Sequence, residues 1–125
     1  MKRLIALFGI FTMIFVAGTQ VFAGEMTAKD KELIQNLKHQ DLTKRIDAAQ
    51  KLAERDCKGA EEDLIHMLKN DKEFQARIVA ATSLMKIGNE KALKAIQQQA
   101  ENDGVKTART VMKGIVDKMR AGQSS

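Results

Sequence analysis

A stretch of twelve residues occurs twice in this chain, 32 positions apart, and that repetition constrains the fold more than any other feature. Asp41 to Leu52 aligns with Glu73 to Leu84, matching in type at Leu42/Phe74, Arg45/Arg77, Ile46/Ile78, Ala48/Ala80, Ala49/Ala81 and Leu52/Leu84. A third, more diverged copy keeps the register at Ala108, Arg109 and Val116. Self-similarity at this period marks stacked units, each too small to bury its apolar face alone and each covered by its neighbours. Such a stack offers broad surfaces rather than a deep cleft, so the repeat by itself points to binding rather than catalysis.

The first 23 residues stand outside the repeat. Lys2 and Arg3 form a positive start, Leu4 to Ala17 is an almost unbroken apolar run, and Val21-Phe22-Ala23 sets small residues where a signal peptidase reads, ahead of Gly24. This is the pattern of a secretory signal cleaved after Ala23, which predicts a periplasmic or extracellular protein. The rival reading is an uncleaved anchor, since Leu4 to Ala23 is about the 20 residues a membrane span needs. The expected organisation is a signal at 1–23, one repeat domain at 24–121 and a polar tail at 122–125.

Setting the signal aside changes the composition. It holds four of the five Phe, two of the 21 basic residues and none of the 16 acids, leaving 19 basic against 16 acidic. These charges are interspersed, with no dense basic block of the kind that tracks phosphates, so nucleic acid is not an expected partner. Cys57 is the one cysteine, so no internal disulfide can brace the fold. Its place in the Arg55 to Gly59 turn allows pairing with another chain, while the alternative is a small residue partly buried at a helix end.

Within each copy the apolar spacing is helical. Phe74, Ile78, Ala81 and Met85 fall on one face, with Arg77, Ala80 and Leu84 beside it, so this helix is covered on two sides. A shorter helix precedes each copy: Ala60 and Leu64 recur as Ala92 and Ile96, and Leu33, Ile34 and Leu37 fit after a one-residue offset. Thr27 with Asp30 reads as a capping box, Asp41, Asp71, Asn89 and Asp103 as N-caps, and Gly88 as the residue that ends a helix in the left-handed region. Six helices are predicted, near 27–38, 41–55, 59–69, 72–87, 90–101 and 104–120. The fold class expected is all-α, a short right-handed α-solenoid of three antiparallel helical hairpins.

The run from Asn70-Asp71 through Arg77, Ala80-Ala81, Leu84, Ile87-Gly88, Ala92 and Ile96 resembles a HEAT repeat, in particular the short HEAT-like type of the phycobilin lyases. The resemblance spans roughly residues 30 to 119. In that family an Asp near the turn and an Arg six residues later commonly link adjacent repeats, which implies this structural role for Asp71 with Arg77 and for Asp103 with Arg109. The first copy carries His39 at the Asp71 position, which weakens the expected link to Arg45.

No catalytic constellation emerges from the residues. His39 and His66 sit in different repeats, and Glu62 with His66 supplies half a metal site without a third ligand. Glu61, Glu62 and Asp63 crowd the first turn of a helix, where the macrodipole favours acids for structural reasons. Ser83 has no partner base and no glycine-rich elbow. The sequence therefore calls for no enzyme activity, no cofactor and no metal. The bilin-lyase resemblance implies an alternative, an enzyme or enzyme accessory, and the uncleaved segment implies another, a membrane-tethered adaptor.

A partner's place is predicted from helical phase. In the second helices, the stripe about 100° from the core positions reads Asp47, Gln50 and Glu54, then Val79, Thr82 and Lys86, then Val111 and Lys118. Acidic at one end, neutral with two exposed valines in the middle and basic at the other, it is the expected protein-binding strip. The last helix carries Val105, Ala108, Met112, Ile115, Val116 and Met119, more apolar residues than one inner face requires, so it either caps the stack or joins copies end to end.

Overall fold

The computed structural model describes residues 26–124, and the expected signal segment lies outside them. Six α-helices follow one another: α1 (Ala28–Asn36), α2 (Leu42–Glu54), α3 (Glu61–Asn70), α4 (Phe74–Ile87), α5 (Glu90–Asn102) and α6 (Lys106–Ser124). A 3-10 turn, Lys58–Ala60, leads into α3. No strand occurs among the described residues, as the periodicity predicts. The last helix runs beyond 120, so residues 122–124, expected as a tail, extend it.

The helices pair as hairpins α1/α2, α3/α4 and α5/α6, and the hairpins stack. The second helices α2, α4 and α6 lie side by side in one layer, and α3 and α5 pack against each other in the other. Helix α4 touches α2, α3, α5 and α6, so it must bury most of its circumference. It does so with Ala76, Ala80, Ala81 and Leu84, each without exposed surface. Methyl side chains let three helices close on it, and Ala48 and Ala49 of α2 do the same from the facing side. Of the two apolar stripes, Phe74, Ile78 and Met85 of the first are only partly buried, because close approach needs the alanines at the deepest points. Ser83 is buried between α2 and α4, where its hydroxyl donates to the Ala49 carbonyl at 3.0 Å.

Local signals placed most helix ends correctly. Thr27 and Asp30 form a reciprocal capping box at α1, and Asp41 and Asn89 cap α2 and α5. Arg55 at the end of α2 donates from Nε to Asp30 Oδ1 at 2.6 Å, tying the two ends of the first hairpin together. That guanidinium, with the Thr27 N–H, holds the Asp30 carboxyl below the usual carboxylate range. Gly88 closes α4 at φ 66. Asp71 and Asp103 are not the N-caps expected. Each stands further ahead of its helix and accepts an N–H two residues on, from Glu73 and Val105, while its carboxylate is committed elsewhere.

The end of α2 is the strained point of the backbone. Cys57 N–H reaches back to Leu52 O and Asp56 N–H to Ala53 O, both at 3.0 Å, a Schellman closure whose left-handed residue is Asp56 at φ 51. A side chain there costs conformational energy that glycine does not. Asp56→Gly should raise unfolding stability by about 1 kcal/mol, read as an upward shift of the urea midpoint with an unchanged m-value.

Candidate protein-binding surfaces

Every surface of the stack is set by how its units are joined. Arg45 of the first unit clasps Asp71 of the second, Nε to Oδ2 at 2.8 Å and Nη2 to Oδ1 at 3.0 Å. Arg77 clasps Asp103 of the third in the same way, at 2.7 and 2.8 Å. In each case the remaining nitrogen, Nη1, grips the turn of the arginine's own unit: Arg45 donates to the carbonyls of His39 and Gln40, Arg77 to that of Asp71 at 2.7 Å. Arg109 repeats the turn contact, donating to the Asp103 carbonyl at 2.6 Å.

These contacts correct two expectations. Asp71 with Arg77 and Asp103 with Arg109 meet only through the aspartate backbone. The carboxylates bind the arginine 26 residues earlier, one unit back. Arg45, whose link seemed weakened by His39, is fully engaged, because it needs only a carbonyl from position 39. Two-point pairing of a planar guanidinium with a carboxylate is strong and directional, and here it is buried, the Asp103 side chain having no exposed surface. Arg77 foremost, then Gln99 and the Val105 N–H, hold the Asp103 carboxyl far below the usual carboxylate range, while Asp103 raises Arg77.

The outer face of the last unit differs in composition from the faces inside the stack. One period after Ile65, Leu68, Ala81, Leu84 and Met85 stand Gln97, Ala100, Lys113, Val116 and Asp117. Apolar groups of the preceding unit are thus replaced by polar ones at three positions and by smaller apolar ones at two. They border a shallow groove of about 510 Å³, completed by Glu101 and Arg120. The apolar residues of α6 turn inward: Ala108, Met112, Ile115 and Val116 are buried, and Val105 and Met119 partly so. Its apolar side is thus covered within the chain, and its polar side faces out.

The predicted strip lies along the outer side of the α2, α4, α6 layer, and the structure gathers part of it. Gln50, Val79, Thr82 and Lys86 line one groove of about 130 Å³ between α2 and α4, with Ala53 and Ser83. Lys118 lines another of about 350 Å³ between the ends of α4 and α6, with Met85 and Met119. Asp47, Glu54 and Val111 are exposed but belong to neither. Of the two valines expected at the surface, Val111 is 37% exposed, while Val79 packs against the core and is only half-buried at its edge. Asp47 pairs with Lys51 at 3.0 Å, so the acidic end is weaker than its residues suggest.

Two further placements were not visible in the sequence. His39 and His66, from different units, face one groove of about 620 Å³ at the turn edge of the stack. No group of three or more His, Cys, Asp or Glu among the described residues is arranged to hold a metal ion. Cys57 is 6% exposed, and burial pushes its thiol up, away from the thiolate form that reacts. Of its two readings, the buried residue at a helix end is the one found. No described helix is long and apolar enough to cross a membrane.

Helical hairpins of a 32-residue period, joined by arginine and aspartate at fixed positions, have a counterpart in known sequences. A family model of HEAT repeats matches residues 31–112. The chain belongs to the HEAT repeat family. Among curated proteins, none matches it. HEAT repeats commonly mediate protein–protein interaction, which suggests a protein-binding role for this member.

The inter-unit pair has a measurable consequence. Asp103→Ala leaves Arg77 buried without its counter-charge, and should cost about 3–5 kcal/mol of HEAT-domain stability. Because the folded Asp103 pKa lies below its unfolded value, its contribution is complete above about pH 5 and is lost as pH falls through that range toward the folded value. Urea titrations between pH 6 and pH 2 should show a shallower acid loss in Asp103→Ala than in the wild type.

Proposed function

We propose that this HEAT-repeat chain is an exported, non-enzymatic module that binds another protein along the outer face of α2, α4 and α6. The observation that carries the proposal is the alignment of three second helices side by side, which brings Gln50, Val79, Thr82 and Lys86 into one groove and sets Lys118 in the next. A half-buried valine flanked by Thr82 and a lysine gives a partner an apolar contact beside a charge that fixes orientation. The polar outer face of the last unit favours this lateral surface over end-to-end addition of copies.

Export is supported by Lys2, Arg3, the apolar run Leu4 to Ala17 and the Val21-Phe22-Ala23 cleavage pattern. A covered Cys57 with a raised pKa argues against an adduct-forming thiol of the bilin-lyase kind, a likeness that rests on the repeat alone. The membrane-tethered alternative depends on the same 20 residues remaining attached.

Two measurements test the proposal. Once crosslinking in cells has identified a partner, Val79→Glu should weaken its binding at least tenfold, since a charge replaces a desolvated apolar contact, about 1.4 kcal/mol or more. Unchanged affinity removes the strip. Intact-mass analysis of the exported protein should find Gly24 as the first residue, and a mass that retains residues 1–23 would establish the tethered form.

A further inference from the structure

The groove of about 620 Å³ lined by His39 and His66 lies away from the face just described, and the first unit creates it. Helix α5 packs against α3, but α1 stops at Asn36 and makes no comparable contact with α3. One face of α3, bearing Asp63, His66, Met67 and Asn70 at helical spacing, is left open opposite the turn Leu37 to Gln40. Buried Leu37 and Met67 form its apolar floor.

The hydrogen bonds of the two histidines fix what they offer. Asp41 N–H donates to His39 Nδ1 at 3.0 Å, so in the neutral ring the proton sits on Nε2. Asn70 donates its amide to the His66 carbonyl at 3.1 Å, which orients that amide, and the same nitrogen meets His66 Nδ1 at 3.2 Å. His66 Nδ1 is therefore an acceptor and its Nε2 also carries hydrogen. A ring nitrogen that bears hydrogen cannot ligate a metal, so both imidazoles present donors. Lys38 and Lys72 stand on the rim, and neither is held in an ion pair among the described residues. Asp71 is spent on Arg45 and the Glu73 N–H. Asp63, half-buried, has no hydrogen-bond or ion-pair partner among the described residues.

We infer that this groove is a second binding site, for an acidic peptide segment in extended form. Two imidazole N–H groups and two ammonium groups are complementary to carboxylates. The uncommitted Asp63 repels a bare anion but accepts a peptide N–H, and an extended acidic segment supplies both chemistries at once. The volume is within the range of about 300–1,000 Å³ typical of sites that enclose small ligands. Position 39 carries Asp in the two later units, so imidazole there removes an acceptor and adds a donor at this groove alone.

The test uses the full chain and a fluorescein-labelled peptide of alternating Glu and Ala, followed by fluorescence anisotropy. The peptide should bind, a Lys and Ala peptide of equal length should not, and affinity should fall as salt rises. His66→Ala and the double change Lys38→Gln with Lys72→Gln should each weaken binding about tenfold, as loss of a hydrogen bond to a charged group implies. Both changes are on exposed side chains, and circular dichroism should show the helices unaltered. Val79→Glu should leave this binding unchanged, which separates the site from the lateral face. Long-range nitrogen–proton correlation should find both imidazoles protonated at Nε2. Absence of peptide binding, equal binding of the Lys peptide, or indifference to the groove variants would overturn the inference. So would imidazole shifts with sodium acetate but not with the peptide, which would mean an adventitious ion only.

Discussion

A guanidinium that holds the turn of its own unit with one nitrogen and the carboxylate of the next unit with two others is the contact on which the rest of this stack depends. Apolar burial supplies most of the favourable free energy, but it is non-directional. Between α2 and α4, one buried hydrogen bond, from Ser83 to the Ala49 carbonyl, adds direction to that burial. Arg45 with Asp71 and Arg77 with Asp103 set how the units sit on one another, because a fork of two bonds near 2.8 Å fixes both separation and angle. A buried ion pair gains little over an apolar substitute in stability, and its use here is register.

That division of labour explains what could be read in the sequence. Helix existence, the hairpin order and the caps at Thr27, Asp41, Asn89 and Gly88 follow from local periodicity and local hydrogen bonds, so they were legible residue by residue. Partners of the arginines were not. An Asp and an Arg six residues apart look like a pair, yet six residues spans a turn and the start of a helix, which brings the Arg to the Asp carbonyl rather than to its carboxylate. The carboxylate points to the neighbouring unit. Subtracting the turn spacing of six from the repeat period of 32 gives the 26 that separates Arg45 from Asp71, so the arithmetic was present but meaningless without the stack.

The candidate surfaces were legible to different depths for the same reason. Gln50, Thr82 and Lys86, chosen by helical phase, do line one groove between α2 and α4, since each helix decides which side its residues take. Helical phase misjudged Val79, because the depth of a stripe depends on how closely α2 and α4 approach, and that is set by Ala48, Ala49, Ala80 and Ala81 together. The meeting of His39 and His66 is harder still. It arises from α1 ending at Asn36 and failing to cover α3, an effect of two elements that neither sequence segment announces.

Stacking also determines which surfaces are left for recognition. A repeat that ends must cover the face a further unit would have buried, and here the substitution of Gln97, Lys113 and Asp117 for Ile65, Ala81 and Met85 does so with polar groups. Apolar attraction between ends is thereby reduced. The sides have no such constraint, because no neighbouring unit ever covers them, and their residues can vary without disturbing the arginine joints. Val111 and the edge of Val79 therefore stand on the lateral face, while the first unit, with no described unit before it, carries His39 where the later units carry the joining Asp71 and Asp103.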